Sequence, residues 1–148
     1  MTTARRLSPV LRVDRMDTGM RRLVRDFVLD VGVDLGLGVD RFQGFALSDA
    51  DNTLVTVPEG FETDFSSIPA FARALYRFDS VDIAGCCHDL AYRTGVPRDV
   101  ADRLWEIVAT SGRRRVGRVR GWLGKAGLRV GGWFAYNRYR RAEARTGP

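Results

Sequence analysis

Apolar residues in this chain change their period once. Short β-prone runs lie before Pro69, and helical spacing takes over after it. Strands gathered ahead of helices, rather than alternating with them, point to an α+β domain and away from a parallel doubly wound sheet. The runs Phe27 to Val33, Arg41 to Leu47 and Thr53 to Val57 are separated by Gly and Asp, and Asp49 to Asn52 reads as a hairpin turn. Three short antiparallel strands are the economical reading. Pro58 cannot donate to a ladder, so the third strand ends there or runs along an edge. Residues 1–22 are arginine-rich and weakly patterned, and read as a basic arm that orders against a partner.

After Pro69 the expected elements are helices. Phe71 to Tyr76 makes a short one. Ser80 can cap a second that runs to Arg93, where Gly95 and Pro97 break it. Pro97 suits the first turn of a third helix, with Asp99 near its positive end. Val100, Leu104, Ile107, Val108 and Ser111 form one stripe of that helix, and Gly112 ends it. Trp122, Leu123, Ala126, Val130, Trp133 and Phe134 recur at helical spacing further on. Five glycines between 121 and 132 weaken that stretch but permit close backbone packing. The expected fold is therefore a small antiparallel sheet of about three strands followed by a bundle of three to five helices. The domain spans residues 23–136, between the arm and a basic tail at 137–148.

Charge is unevenly placed. Arg113 to Pro148 holds 11 basic residues against one acid, whereas the rest of the chain carries 13 against 17. Of the 24 cations, 23 are arginine, the residue suited to bidentate contact with carboxylate or phosphate. The arginine-rich ends read as docking surfaces for an acidic protein, a lipid headgroup or nucleic acid, although no nucleic-acid recognition motif is present. A solvated helix face is the alternative. No run reaches the roughly 18 apolar residues of a membrane span, and no apolar stretch follows the N-terminal arginines as in a signal peptide. The adjacent Cys86 and Cys87 cannot readily bridge each other in a helix, so reduced packing thiols are expected.

Titratable groups concentrate at one place. His88 is the only histidine in the 148 residues, inside Cys86-Cys87-His88-Asp89-Leu90-Ala91-Tyr92, and Asp102 follows one helix later. On a helical wheel Val81, His88 and Tyr92 share one face of the second helix, and Ile83, Cys87, Leu90 and Ala91 another. On the third helix Asp102 lies with Trp105 and Ala109. Two helices joined by a tight turn pack antiparallel. Asp102 can then orient the His88 imidazole while Tyr92 donates to the same carboxylate, which is the minimum kit for general-base chemistry. Asp89 points elsewhere and is available for a cation or a cap. The competing reading is a buried histidine that only fastens two helices. An open cleft with Asp89 facing it favours catalysis, and a sealed imidazole favours the fastening. No Walker loop, zinc spacing or serine-hydrolase elbow is found.

These residues carry two resemblances. Val57 to Pro69, then His88-Asp89-x-x-Tyr92-Arg93-x-Gly95, then Ala101-Asp102-Arg103, resemble the domain-of-unknown-function 1353 family over roughly residues 41–136, and Gly131 to Ala135 resembles its C-terminal end. That resemblance implies a phage or prophage origin and lends no activity. The run Cys86-Cys87-His88-Asp89-x-x-Tyr92 with Ala101-Asp102 is similar to the helix pair of phospholipase A2 enzymes, most closely the parvoviral capsid-borne type. It implies His88 as the base, Asp102 as its orienting partner, Tyr92 as a support and Asp89 as a calcium ligand. The glycine-rich calcium loop is absent. Glu59 to Ser67 is the only substitute, with Asp64 or backbone carbonyls as ligands, and the disulfide framework of secreted versions cannot form.

The function expected first is a virion or assembly component of the tail, baseplate or neck, located in the virion or the host cytoplasm. It would dock on other phage structural proteins. The alternative is a small calcium-assisted hydrolase of lipid or envelope esters, its Trp122/Trp133 stripe lying on an anionic membrane surface.

Overall fold

A computed structural model describes residues 4–8, 10–37, 44–46, 53–63 and 79–111. Strands β1 (Arg5–Arg6), β2 (Val13–Arg15), β3 (Arg21–Leu23), β4 (Phe27–Asp30), β5 (Phe45–Ala46), β6 (Leu54–Val57) and β7 (Glu62–Thr63) precede helices α1 (Asp79–Arg93) and α2 (Arg98–Ala109). The protein is a mixed α+β domain. Its strands form a four-stranded sheet in the order β1-β4-β6-β5 and a three-stranded sheet in the order β2-β3-β7, all paired antiparallel.

Period-two alternation builds the larger sheet. Phe27 and Leu29 on β4 stand directly opposite Val57 and Val55 on β6, and all four are buried. Val28 and Asp30, between them, are only half-buried. Phe45 on β5 extends the row to a third strand, opposite Val55. Each such side chain contributes about 1.5–3 kcal/mol when fully buried. β6 is the strand that α1 packs against. Gly44 permits that approach: it has φ +85°, its carbonyl accepts from the Thr56 amide at 2.6 Å, and a Cβ there would sit 2.5 Å from the Thr56 carbonyl oxygen and 2.8 Å from Leu90.

The two helices form a tight antiparallel hairpin. α1 ends in a Schellman motif, in which Gly95 takes φ +80°, its amide bonds to the Tyr92 carbonyl and the Val96 amide to that of Ala91. The Thr94 hydroxyl donates to the Leu90 carbonyl at 2.9 Å, and Val96 is fully buried. Pro97 is the N-cap of α2 rather than a residue of its first turn, and its carbonyl accepts from Val100 and Ala101. Its missing N–H is of no consequence at that position.

The structure departs from the sequence reading in three places. The described residues hold seven strands in two sheets rather than about three in one, because β1, β2, β3 and β7 are pairs and triplets too short to show a period. Residues 1–22, read as an arm, supply β1, β2 and the first two residues of β3, and Ala4 is anchored where its amide donates to the Ser111 hydroxyl at 2.8 Å. A bundle of three to five helices is not found; the described residues hold two. The Asp49 to Asn52 turn, the Phe71 to Tyr76 helix, the Trp122 to Phe134 stretch and the 137–148 tail all lie outside the described residues. No helix among those described is long and apolar enough to cross a membrane.

Candidate functional site

The α1–α2 seam brings His88, Tyr92 and Asp102 together. His88 Nε2 lies 3.0 Å from Asp102 Oδ1, and the Tyr92 hydroxyl donates to the same oxygen at 3.4 Å. The imidazole and phenol rings sit 4.1 Å apart, tilted by 43°. A carboxylate only accepts, so the Nε2 position carries the proton of that bond. The seam follows from helical spacing. His88 and Tyr92 are one turn apart on α1, and Asp102, Trp105 and Ala109 share the facing stripe of α2. Trp105, Ala109 and Ala101 are fully buried.

Arg98 is the member of the group that sequence reasoning missed. One turn before Asp102 on α2, its Nε lies 3.9 Å from Asp102 Oδ2, and it also hydrogen-bonds the Tyr92 hydroxyl. The i,i+4 spacing of an arginine and an aspartate was the signal for it. Asp102 thus has an imidazole and a phenol hydrogen-bonded to one oxygen and a guanidinium 3.9 Å from the other, which favours a buried carboxylate. Burial and the neighbouring Asp102 carboxylate push the Tyr92 hydroxyl well above its usual range, partly offset by Arg98. Tyr92 is therefore a neutral donor across the physiological pH range.

Access to this group is closed. His88 is 0% exposed and Asp102 3%. The second ring nitrogen, Nδ1, is buried and has no hydrogen-bond partner among the described residues. An unsatisfied buried polar atom costs about 1–3 kcal/mol, so the ring nitrogens are unequally served. The open cleft that the catalytic reading requires is not what the described residues form around His88.

Asp89 is placed apart, as its position around the helix requires. It is half-buried, and its Oδ2 accepts from the Thr63 hydroxyl at 2.5 Å, a bond that ties β7 of the smaller sheet to α1. Thr63 was not singled out in the sequence, yet it belongs to the Glu59 to Ser67 segment considered there as a substitute calcium loop. Asp64 lies outside the described residues. Calcium takes six to eight oxygens, and the rest of the Glu59 to Ser67 segment that was to supply them lies, from Asp64 on, outside the described residues. No group of three or more potential ligands occurs among the described residues. Cys86 and Cys87 are buried free thiols whose ionisation is suppressed by burial first and neighbouring negative charge second, Cys87 being pushed up to about 12. They are packing residues and not nucleophiles.

Comparison with known proteins adds the lineage. A family profile for a protein of unknown function, DUF1353, matches residues 42–125. The chain belongs to that family. The DUF1353 match spans β5, β6, β7 and both helices, and so includes His88, Asp89, Tyr92 and Asp102. Gly131 to Ala135 lies beyond the DUF1353 range. No curated protein and no solved structure matches the chain.

Proposed function

We propose that this chain is an assembly component of a phage or prophage particle, in the tail, baseplate or neck, docking on other structural proteins through arginine-rich surface. In this reading His88, Tyr92, Asp102 and Arg98 fasten the helix hairpin. The observation that carries the proposal is the arginines of the N-terminal layer: Arg5, Arg6, Arg12, Arg15, Arg21, Arg22 and Arg25 are all exposed, and they sit on or beside ordered strands. A basic surface held in fixed geometry suits stable docking better than a loose arm, because less ordering entropy opposes binding. The closed surroundings of His88 support the fastening role. The test is a mass-spectrometric inventory of particles purified from the host that encodes the chain. An abundant, fixed copy number is expected, and absence from the particles refutes the proposal.

A second reading is favoured by one observation, the partnerless Nδ1. With Asp102 holding Nε2–H and Tyr92 steadying the carboxylate, a neutral imidazole presents its Nδ1 lone pair as a general base. It would take a proton from water as the water oxygen adds to a lipid ester carbonyl, and return that proton to the departing alkoxide. The product is one acid and one alcohol for each water consumed. Calcium would enter only through Asp89 and Asp64, and no step is assigned to it. Because His88 is the sole histidine, diethylpyrocarbonate reports its access directly. Rapid modification of the folded chain, with ester release from phospholipid vesicles that is lost in His88→Gln, would establish this reading. A folded chain that resists modification leaves the fastening role.

A further inference from the structure

Backbone groups along β2 alternate between its two sides. The Val24 amide donates to the Arg12 carbonyl at 3.2 Å, and the Met16 amide to the Met20 carbonyl at 2.9 Å. Asp14 stands opposite Arg22 midway between those bonds. The even-numbered residues of β2 therefore turn their N–H and C=O toward β3. Residues between them in an antiparallel ladder point the other way, so Val13 and Arg15 direct theirs to the outer edge. Among the described residues no strand lies there, because β2 ends the order β2-β3-β7. Arg12, Asp14 and Arg15 along that edge are all exposed.

The two faces of β2 differ in character. Leu11 and Val13 are half-buried and pack against the core, and Leu23 opposite Val13 is fully buried. Arg12 and Asp14 fall on the other face by the two-residue period of a strand. The ion pairs formed by the described residues include neither of them. Asp14 prolongs a row in which Arg22 bonds Glu62, so its charges already alternate.

We propose that β2 pairs antiparallel with β2 of a second copy about a two-fold axis at Val13, joining two three-stranded sheets into one. Such an interface must be self-complementary. Backbone direction allows only registers in which outward-pointing residues meet, and charge selects among these. An axis at Asp14 sets carboxylate against carboxylate, and an axis at Arg12 or Arg15 sets guanidinium against guanidinium. With the axis at Val13, Arg12 of each copy faces Asp14 of the other, in the non-hydrogen-bonded positions where side chains come closest. Val13 meets Val13, and the stem of Arg15 lies over Leu11, covering apolar surface that the core leaves half-exposed. The row then runs Glu62, Arg22, Asp14 and Arg12 of the second copy, alternating in sign throughout. Charges on an edge discourage pairing with arbitrary strands; here they match at this one register. Self-pairing does not depend on the assembly reading.

The test is sedimentation velocity of the full chain over a concentration series. The edge is short, so a weak dimer is expected, populated by about 0.5 mM and loosened by added salt. Arg12→Asp and Asp14→Arg each oppose like charges at both symmetric contacts, and either chain alone should dimerise at least about tenfold more weakly. Mixed in equal amounts, the two variants should recover a dimer, because every opposed pair is again unlike in sign. Val13→Pro removes an N–H that faces the edge and that β3 does not use. It should give a monomer with an unaltered circular dichroism spectrum. A parent chain that is monomeric at about 0.5 mM, or single variants that weaken without recovery on mixing, overturns the inference. A dimer that survives in Val13→Pro or in Arg12→Asp overturns it too, whether or not Asp14→Arg folds.

Discussion

The helix seam and the N-terminal strands contain the same kinds of charged group and use them in opposite ways. In the seam, Arg98 and Asp102 have side chains 26% and 4% exposed, and the carboxylate is shared with His88 and Tyr92. On the smaller sheet, Arg22 and Glu62 pair at a shorter 2.7 Å but with side chains 52% and 37% exposed. Distance alone would rank the second pair higher. Desolvation reverses the order of importance: losing one partner of a buried group strands the others without water, whereas an exposed pair exchanges its bond for solvent. The seam is therefore where the fold is vulnerable, and the exposed strand pair is where loss of a partner is tolerated.

The largest effect expected from that contrast is at Asp102. Asp102→Ala leaves His88 and Tyr92 buried without their acceptor and should destabilise by about 3–5 kcal/mol, read as a shift in the urea midpoint at constant slope. Asp102→Asn, which keeps an acceptor oxygen, should cost clearly less. Equal and small losses for the two would mean that the seam is not a tie.

Alkaline pH comes next. The native state holds Cys87 neutral up to about 12, against an ordinary value of 9.0, and raises Cys86 and Tyr92 as well. An acid whose folded pKa is raised contributes its stability fully below the unfolded value and loses it as pH climbs toward the folded one. Stability should thus be level below pH 9 and fall above it, by about 1.4 kcal/mol per unit for Cys87 alone. In Cys87→Ala the fall should be shallower, whatever that variant's stability at neutral pH. Thermal midpoints between pH 8 and 11 check both.

Two glycines with the same backbone sign sharpen the comparison further. Gly44→Ala meets the Thr56 carbonyl as well as an unfavourable φ, and should cost about 2 kcal/mol or more. Gly19→Ala meets nothing within 4 Å and should cost only about 1 kcal/mol. The smallest effect belongs to Arg22→Ala, below about 1 kcal/mol and shrinking as salt is added. A loss there as large as that of Asp102→Ala would remove the distinction between the two regions.

How much of this could be read beforehand depends on the range of the interactions. The hairpin was legible because its signals are local. Gly95 and Pro97 mark the turn, and helical spacing puts His88 with Tyr92 and Asp102 with Trp105 and Ala109. β4 and β6 were legible through Phe27, Leu29, Val55 and Val57. The N-terminal strands were not. β1 is two arginines, and β3 carries a single buried residue, Leu23. Their partners are remote in the chain: Arg6 pairs with Leu29 and Arg22 with Glu62. Nor does spacing disclose exposure, so the sealed surroundings of His88 became visible only with the fold. The Thr63–Asp89 bond has no sequence signature at all, since a threonine on a two-residue strand announces nothing.

The hydroxyl of Ser111 accepts from the Ala4 amide across 107 residues of chain. During synthesis at about 5–20 residues per second, Ala4 is extruded roughly 5–20 s before that acceptor exists. β1 can pair with β4 and β2 with β3 within that interval, but the tie from the N-terminal segment to the helix hairpin forms only at its end. The last fastening of the N-terminal segment is then timed by translation of the helix hairpin, and slowing the ribosome between the two would delay it.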